Sequence, residues 1–330
     1  MSDGLRRVGA TALKGGLSLV LVVVLLGRLD LTAVWHSVQH ADASLLIAAA
    51  GLLALSNLVG SLQWGLLLRA QGLTAPWLRI VSSFHIGLFF NNLLPANVGG
   101  DVARIHGVSG YSAGLSPVVS ATVMDRLIGL FVVAAFGVAA APLGMREVHE
   151  PLIYASVVVT FAGAAAALLA ARSRRLTGLA LRPLRGLGFA TLADRADRTL
   201  GSLHALACRT SVIGGVMVIS VGTQVLRLYV HYLVARGLGI RVSQAALWTF
   251  VPVLAVVAAL PVSLNGLGVR EWAATKLLPH AGLAPEAAFA WQLTTAVIAM
   301  ALSLSGAALF VRHAIRPGSK PGAAPATREV

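Results

Sequence analysis

Charged side chains are scarce in this sequence, and acidic ones are the scarcest. Only 12% of its 330 residues are charged, and 12 Asp and Glu stand against 26 Lys and Arg. A soluble domain carries about 25% charged residues, and the mean hydropathy here is +0.82. An ordinary water-soluble fold is therefore excluded. We predict an all-α integral membrane protein, built as a polytopic helical bundle.

Cysteine and the common catalytic motifs are nearly absent as well. Cys208 is the single cysteine, which excludes an intramolecular disulfide. There is no Walker loop, HExxH, GxSxG or CxxC motif. We therefore expect no cofactor, no metal site and no enzymatic activity. The apolar stretch that follows Arg6 and Arg7 lacks a small-residue cleavage site, which predicts a retained anchor helix.

The formal net charge of +14 raises the question of a nucleic-acid partner. The basic residues lie in loops between apolar spans, where the positive-inside bias places them. We therefore exclude nucleic acid and expect these residues to face anionic lipid headgroups.

Six apolar stretches are long enough to cross a bilayer as helices, which takes roughly 17–25 residues. They lie at about 10–27, 44–68, 117–141, 151–171, 211–235 and 286–311. Two shorter apolar stretches lie at about 80–95 and 246–261.

The distribution of Lys and Arg orients these spans. The loop at 172–210 carries eight Arg and is predicted to be cytoplasmic, together with the 69–79 loop and both termini. The loops at 28–43 and 142–150 are predicted to lie outside. Arg236 and Arg241 also fall outside, in mild violation of the bias. We expect the bacterial cytoplasmic (inner) membrane as the location.

Each short apolar stretch then begins and ends on one side of the membrane. The segment 80–116 forms a hairpin that opens to the cytoplasm, and 246–285 forms one that opens to the outside. The halves at about 10–141 and 151–311 thus have opposite orientations, which predicts an inverted repeat. We expect one transmembrane domain over 1–315 and a disordered cytoplasmic tail over 316–330.

A motif that recurs after 166 residues supports this duplication. Leu, Pro, Gly and Arg coincide at 94/260, 95/261, 100/266 and 104/270. Matched Pro/Gly-broken segments in the two halves of a membrane protein point to a substrate site near the midplane. A helix-capping break that only shapes the bundle is the structural alternative, which the second copy in register disfavours.

Both broken hairpins supply candidate substrate-binding residues. Unpaired backbone at membrane depth must line a polar cavity or be buried in protein, and a glycine turn before a helix start suits a phosphate. The first hairpin contributes Asn91, Asn92, Asn97, Gly99, Gly100, Asp101 and Arg104. The second contributes Ser263, Asn265, Gly266, Gly268, Arg270 and Glu271. We expect Arg104 and Arg270 to contact the phosphate, and Asp101 to cap its helix or to neutralise Arg104.

Three further charged residues, Asp125, Arg126 and Arg227, lie inside predicted spans. Charges at that depth cost roughly 2.5–3.5 kcal/mol each, so they normally face the bundle interior in pairs. Asp125 and Arg126 point about 100° apart on a helix, so they cannot neutralise one another directly. Substrate binding and structural ion pairing stay open as roles for them, with charge or proton coupling as the candidate role of Asp125.

Within the basic loop, apolar residues recur at helical spacing from Leu192 to Leu206. The pattern predicts an amphipathic helix that lies either at the membrane interface or against the inner end of the bundle.

Three elements in order resemble a known family. They are the 90–104 segment with Asn91-Asn92-Leu93-Leu94-Pro95, the Asp125-Arg126-Leu127-Ile128-Gly129-Leu130 element and the 261–271 segment. They resemble the lysylphosphatidylglycerol synthase transmembrane family, flippase-like proteins that include the flippase domain of the multiple peptide resistance factor and hopanoid-associated membrane proteins. The similarity covers roughly 10–315 and implies two re-entrant segments and movement of a phospholipid or related amphiphile between leaflets. Fused members carry a cytoplasmic transferase, so we expect any synthase partner of this chain to be a separate protein.

These observations predict an ATP-independent lipid flippase or scramblase, whose partners are membrane lipids, in particular an anionic phospholipid or lipid-linked substrate. The headgroup would lie between the two broken hairpins. Two alternatives stay open: a secondary transporter of a small anionic solute, and a non-catalytic membrane subunit of a lipid-modifying system.

Overall fold

The structure is a computed structural model that describes residues 31–93, 98–144, 151–176, 178, 190–259 and 268–315. Every regular element in these ranges is helical. The elements are α1 (Leu31–Gln39), α2 (Ala43–Ala70), α3 (Trp77–Leu93), α4 (Val98–Ser109), α5 (Leu115–Gly144), α6 (Pro151–Ala171), α7 (Ala190–Ala207), α8 (Thr210–Gly237), α9 (Gln244–Ala259), α10 (Val269–Leu277) and α11 (Pro285–Ile315). A 3-10 turn, Leu278–Ala281, follows α10.

Five of these helices, α2, α5, α6, α8 and α11, are long and apolar enough to cross a membrane. They confirm the predicted spans at 44–68, 117–141, 151–171, 211–235 and 286–311. The chain is therefore a multi-pass membrane protein with an all-helical fold. The predicted span at 10–27 and the tail at 316–330 lie outside the described residues.

The predicted outer loop at 28–43 is partly helical, which corrects the sequence reading. It contains α1, which contacts α11 and buries Val34 in the hydrophobic core. The basic loop contains α7, whose apolar face with Leu203 and Leu206 is buried against the rest of the bundle. The structure thus favours packing on the bundle, rather than a free interfacial position, for the amphipathic helix.

Hydrogen bonds between distant segments define the two ends of the bundle. At one end the Gln71 amide donates to the Ser120 hydroxyl and to the carbonyl of Ser202, at 2.7 and 3.0 Å. At the other end the Asp42 N–H donates to the Gly237 carbonyl, at 2.7 Å. The start of α2 therefore lies beside the end of α8, so these two packed helices run antiparallel.

Helices α2 and α8 also match in length and position. Each has 28 residues, and they begin 167 positions apart. The helices that follow them, α3 and α9, begin at Trp77 and Gln244, again 167 positions apart. Equal lengths, a constant offset and an antiparallel contact favour the inverted repeat, which stays a prediction.

The start of α2 is fixed by Asp42, which lies outside the spans. Its carboxylate accepts hydrogen bonds from the Ser44 hydroxyl and from the amides of Ser44 and Leu45. The Ser44 hydroxyl, followed by the two amides, holds the pKa of Asp42 below its ordinary value, because these bonds favour the ionised form.

Candidate functional site

Helices α3 and α4 form the first predicted hairpin, and small residues bring them together. A Cβ at Gly100 would collide with the Gly87 carbonyl and with the Asn91 side chain. The Gly100 N–H instead donates to the Asn91 side-chain oxygen at 3.1 Å. At the open end the Arg79 guanidinium donates to the Gly107 carbonyl at 2.8 Å. The chain therefore enters along α3 and returns along α4, and both helices are shorter than the roughly 20 residues that a full crossing needs.

Arg104 on α4 lies at the centre of a network of charged side chains. One terminal nitrogen is 3.0 Å from a carboxylate oxygen of Asp101, and the other is 3.0 Å from a carboxylate oxygen of Asp125. The second oxygen of Asp125 accepts a hydrogen bond of 2.8 Å from the Gln63 amide. The network thereby ties α2, α4 and α5 together.

Two aromatic rings cover the Arg104 guanidinium. Its carbon lies 4.9 Å from the ring centre of Trp64 and 5.6 Å from that of Phe84. The side chain is only 5% exposed. With two carboxylates in contact, Arg104 is committed to ion pairs within the protein. This is the geometry of a positioning residue, and the expected phosphate contact of Arg104 stays a prediction.

Arg126 pairs with Asp101 rather than with its neighbour Asp125. It makes hydrogen bonds of 3.1 and 3.0 Å to the two oxygens of Asp101. As the helical spacing predicted, Asp125 and Arg126 bind separate partners and do not neutralise one another. Arg126 is 46% exposed and Asp101 is 22% exposed, so this side of the network is open whereas the Arg104 side is closed.

Arg227 on α8 completes the cluster from the opposite half. Helix α8 packs against α5, the helix that carries Asp125 and Arg126. Arg227 interacts electrostatically with both of these residues, and its side chain is exposed. Among the described residues no carboxylate lies within ion-pair distance of Arg227. The described cluster therefore holds three guanidiniums against two carboxylates.

The second hairpin is built around α9 and α10. Gly268 adopts φ 81° at the start of α10, and its N–H donates to a carboxylate oxygen of Glu271 at 2.6 Å. Glu271 is 1% exposed and its other oxygen is 3.5 Å from Arg270. In this structure Glu271 caps a helix, and Arg270, 20% exposed, is held less tightly than Arg104.

The remaining predicted residues divide into two groups. Gly99 lies at the start of α4, and Asn92 donates to the Ser303 hydroxyl on α11 at 2.8 Å, which links the first hairpin to the second half. The others lie outside the described residues: Asn97, Ser263, Asn265 and Gly266.

Three residues that contact the charge network were not predicted: Gln63, Trp64 and Phe84. Gln292 on α11 was not predicted either; it is fully buried, with neither side-chain polar atom hydrogen-bonded among the described residues. A polar residue inside an apolar span is itself a signal of function or pairing, and that signal would have found Gln63 and Gln292.

Comparison with known proteins assigns the chain to a family. The model of the lysylphosphatidylglycerol synthase TM region matches residues 11–306, most of the chain. The chain belongs to this family. Among curated proteins, this family member is similar to the UPF0104 membrane protein PH1989 of Pyrococcus horikoshii, with 22% identity over 157 residues. That match covers 47% of this chain and 44% of the relative, so less than half of the relative's length is spanned. No solved structure matches the chain.

Proposed function

We propose that this protein is an ATP-independent flippase or scramblase for a phospholipid or related amphiphilic lipid. The headgroup passes the charge cluster between the two halves while the acyl chains stay in the bilayer. The family is consistent with a lipid-related role in the membrane, and the proposal adds the specific activity.

The observation that carries the proposal is the excess positive charge at the cluster. Helix α8, which carries Arg227, packs against α5, which carries Arg126, and the two described carboxylates, Asp101 and Asp125, already serve Arg104 and Arg126. Both arginines lie well inside helices that are long and apolar enough to span a membrane. An unneutralised charge at such depth costs roughly 2.5–3.5 kcal/mol. A phosphodiester carries one negative charge, so its arrival neutralises the described cluster.

The residues take different parts in this proposal. Arg126 and Arg227 contact the phosphate, since both keep accessible surface and a guanidinium binds phosphate through paired N–H donors. Arg104 holds Asp101 and Asp125 in place from its buried position beneath Trp64. Rocking of one half against the other would then expose the cluster to each side in turn.

We extend the proposal to the setting of the protein. Its location is the bacterial cytoplasmic membrane with both termini in the cytoplasm, and its partners are membrane lipids and, where the lipid is modified, a separate synthase. No catalytic step is assigned to this chain.

The test is movement of fluorescent phosphatidylglycerol in vesicles that contain the purified protein. Wild type is compared with Arg126→Gln/Arg227→Gln and with a control of equal charge change, Arg172→Gln/Arg209→Gln, whose arginines are exposed at the ends of α6 and α8. We expect inner-leaflet label to become accessible to an added reductant with wild type and the control only. The double cluster variant moving lipid at the wild-type rate would contradict the proposal.

The same vesicles separate the alternatives. Uptake of glycerol phosphate that does not depend on lipid composition would identify a small-anion transporter. Absence of both activities, together with co-purification of a lipid-modifying enzyme, would identify a membrane subunit.

A further inference from the structure

The turns after α2 and α8 are equivalent but differ in how they use their arginines. Gly72 and Gly239, at matching positions, have φ 84° and 71°. The same backbone bond closes both turns: Leu73 N–H to the Leu68 carbonyl at 3.1 Å in one, and Ile240 N–H to the Ala235 carbonyl at 2.9 Å in the other. An arginine precedes each glycine by three residues, at 69 and 236. The two arginines therefore start from the same backbone geometry.

Arg69 is used within its own turn. Its two terminal nitrogens donate to the carbonyls of Leu73 and Ala75, at 3.0 and 2.6 Å. Its guanidinium lies 5.4 Å from the ring centre of Trp77. These contacts satisfy the side chain and make it a structural cap of the helix end.

Arg236 makes no side-chain hydrogen bond to the carbonyls of its own turn among the described contacts. It is exposed, and its partner is Tyr232, whose hydroxyl is 3.3 Å away and whose ring centre is 5.9 Å from the guanidinium. Where the first turn has Thr74 and Trp77, the second has Arg241 and Gln244. In the described part of the chain no tryptophan covers the second turn, and an open pocket of about 490 Å³ lies there. It is lined by Tyr232, Arg236, Arg241, Gln244 and the turn backbone. That volume is within the range of about 300–1,000 Å³ typical of small-molecule sites.

The setting of this pocket suits an anionic group at the membrane surface. It lies between the end of the α8 span and the start of α9, so the favourable charge for an anion comes from the side chains of Arg236 and Arg241. Exposed aromatic side chains, Trp35 on α1 and Tyr229 on α8, mark the same end of the bundle, as expected at a membrane–water interface. The nearby Asp42 carboxylate is engaged by the first turn of α2.

We propose that the Arg236–Arg241 pocket binds the phosphate of an anionic lipid headgroup at this surface of the bundle. Two guanidiniums supply charge-assisted donors, the Gln244 side-chain amide supplies a further donor, and Tyr232 packs beside the glycerol portion. This site is separate from the central cluster, and it gives a role to two arginines that the sequence places on the predicted outer side, against the charge bias. It does not depend on transport by the protein.

The test is photolabelling of the detergent-purified full chain by phosphatidylglycerol with a photoactivatable headgroup, followed by mass spectrometry of peptides. Wild type is compared with Arg236→Gln/Arg241→Gln and with Arg172→Gln/Arg209→Gln as the control of equal charge. Size-exclusion elution checks that each variant is folded. We expect label in the α8–α9 turn to fall about tenfold in the pocket variant, since it loses both guanidiniums that donate charge-assisted hydrogen bonds. The control should keep the wild-type label in this segment.

Competitors identify the ligand. Unlabelled phosphatidylglycerol should displace the label, whereas phosphatidylcholine, whose choline places a cation beside the phosphate, should displace it poorly. Displacement by inorganic phosphate at least as effective as by the lipid keeps the anion site but assigns it to free phosphate. Equal labelling of the turn in wild type and pocket variant, or equal displacement by phosphatidylcholine, would overturn the proposal.

Discussion

The two halves of the bundle share backbone devices but treat their motif arginines differently. In the first half Arg104 is 5% exposed and is bound at 3.0 Å by two carboxylates under the ring of Trp64. In the second half Arg270 is 20% exposed and has one carboxylate, that of Glu271, at 3.5 Å. At the 167-residue offset of α2 and α8, His231 stands where the first half has Trp64.

The helices that follow the hairpins differ in the same sense. Leu115-Ser116-Pro117 near the start of α5 aligns with Leu283-Ala284-Pro285 at the start of α11, which places Asp125 and Arg126 opposite Leu293 and Thr294. Residues 292–295, which form one helical turn of α11, include no charged side chain. The two halves share backbone features of the scaffold, while the described network of Asp101, Arg104, Asp125 and Arg126 lies in the first half. Function thus belongs to a site placed on the scaffold rather than to the scaffold itself.

Removing one acidic residue from each half should give the largest difference in stability between the halves. Asp125→Asn leaves the buried Arg104 with a single carboxylate and should cost about 3–5 kcal/mol of stability. Glu271→Gln should cost clearly less, because Arg270 keeps accessible surface and the amide oxygen still accepts from Gly268. Heat-induced unfolding of the detergent-solubilised variants, followed by circular dichroism, shows which variant loses more stability. An equal or reversed order would show that the Arg104 network is not the tighter one.

The close approach of α3 and α4 gives a prediction of intermediate size. Gly100→Ala places a methyl group against the Gly87 carbonyl and the Asn91 side chain, and such overpacking should destabilise the protein by about 1–3 kcal/mol. Gly129→Ala in α5 is the matched control, since nothing lies within 4 Å of its added Cβ. The control should be neutral or stabilising, because alanine favours a helix over glycine by about 1 kcal/mol. If both substitutions have the same effect on the unfolding midpoint, the hairpin is not packed as described.

The smallest effects are expected at the two matched turns, where the halves should behave alike. Gly72→Ala and Gly239→Ala each force a side chain into the left-handed region and should cost about 1–2 kcal/mol. No atom lies within 4 Å of either added Cβ, so backbone strain is the whole effect. The two unfolding midpoints should fall by similar amounts, and a large difference would argue against equivalent turns.

Much of the fold could be predicted from the sequence because lipid imposes simple rules. Five spans and the first hairpin follow from apolar length, proline and glycine, since the backbone must satisfy itself in hydrocarbon. The helix at Leu31–Gln39 was missed, because its nine residues lie in a stretch that length alone reads as a loop.

The site was predicted less completely than the fold. Sequence indicated Arg104, Asp125 and Arg126, yet not which acid each arginine binds, because that depends on how α2, α4 and α5 pack. The exposure of Arg126 against the burial of Arg104 likewise comes only from tertiary structure. In the proposed function, the phosphate contact is therefore assigned to Arg126 and Arg227 and not to Arg104.

In the proposed function, Arg227 supplies a positive charge that an incoming phosphate neutralises. The most direct test measures headgroup translocation in vesicles for wild type, Arg227→Lys and Arg227→Gln, with equal insertion checked for all three. We expect Lys to retain part of the activity, since it keeps the charge but loses the bidentate geometry, and Gln to abolish it. Translocation by Arg227→Gln at the wild-type rate would show that this charge is not needed for lipid movement.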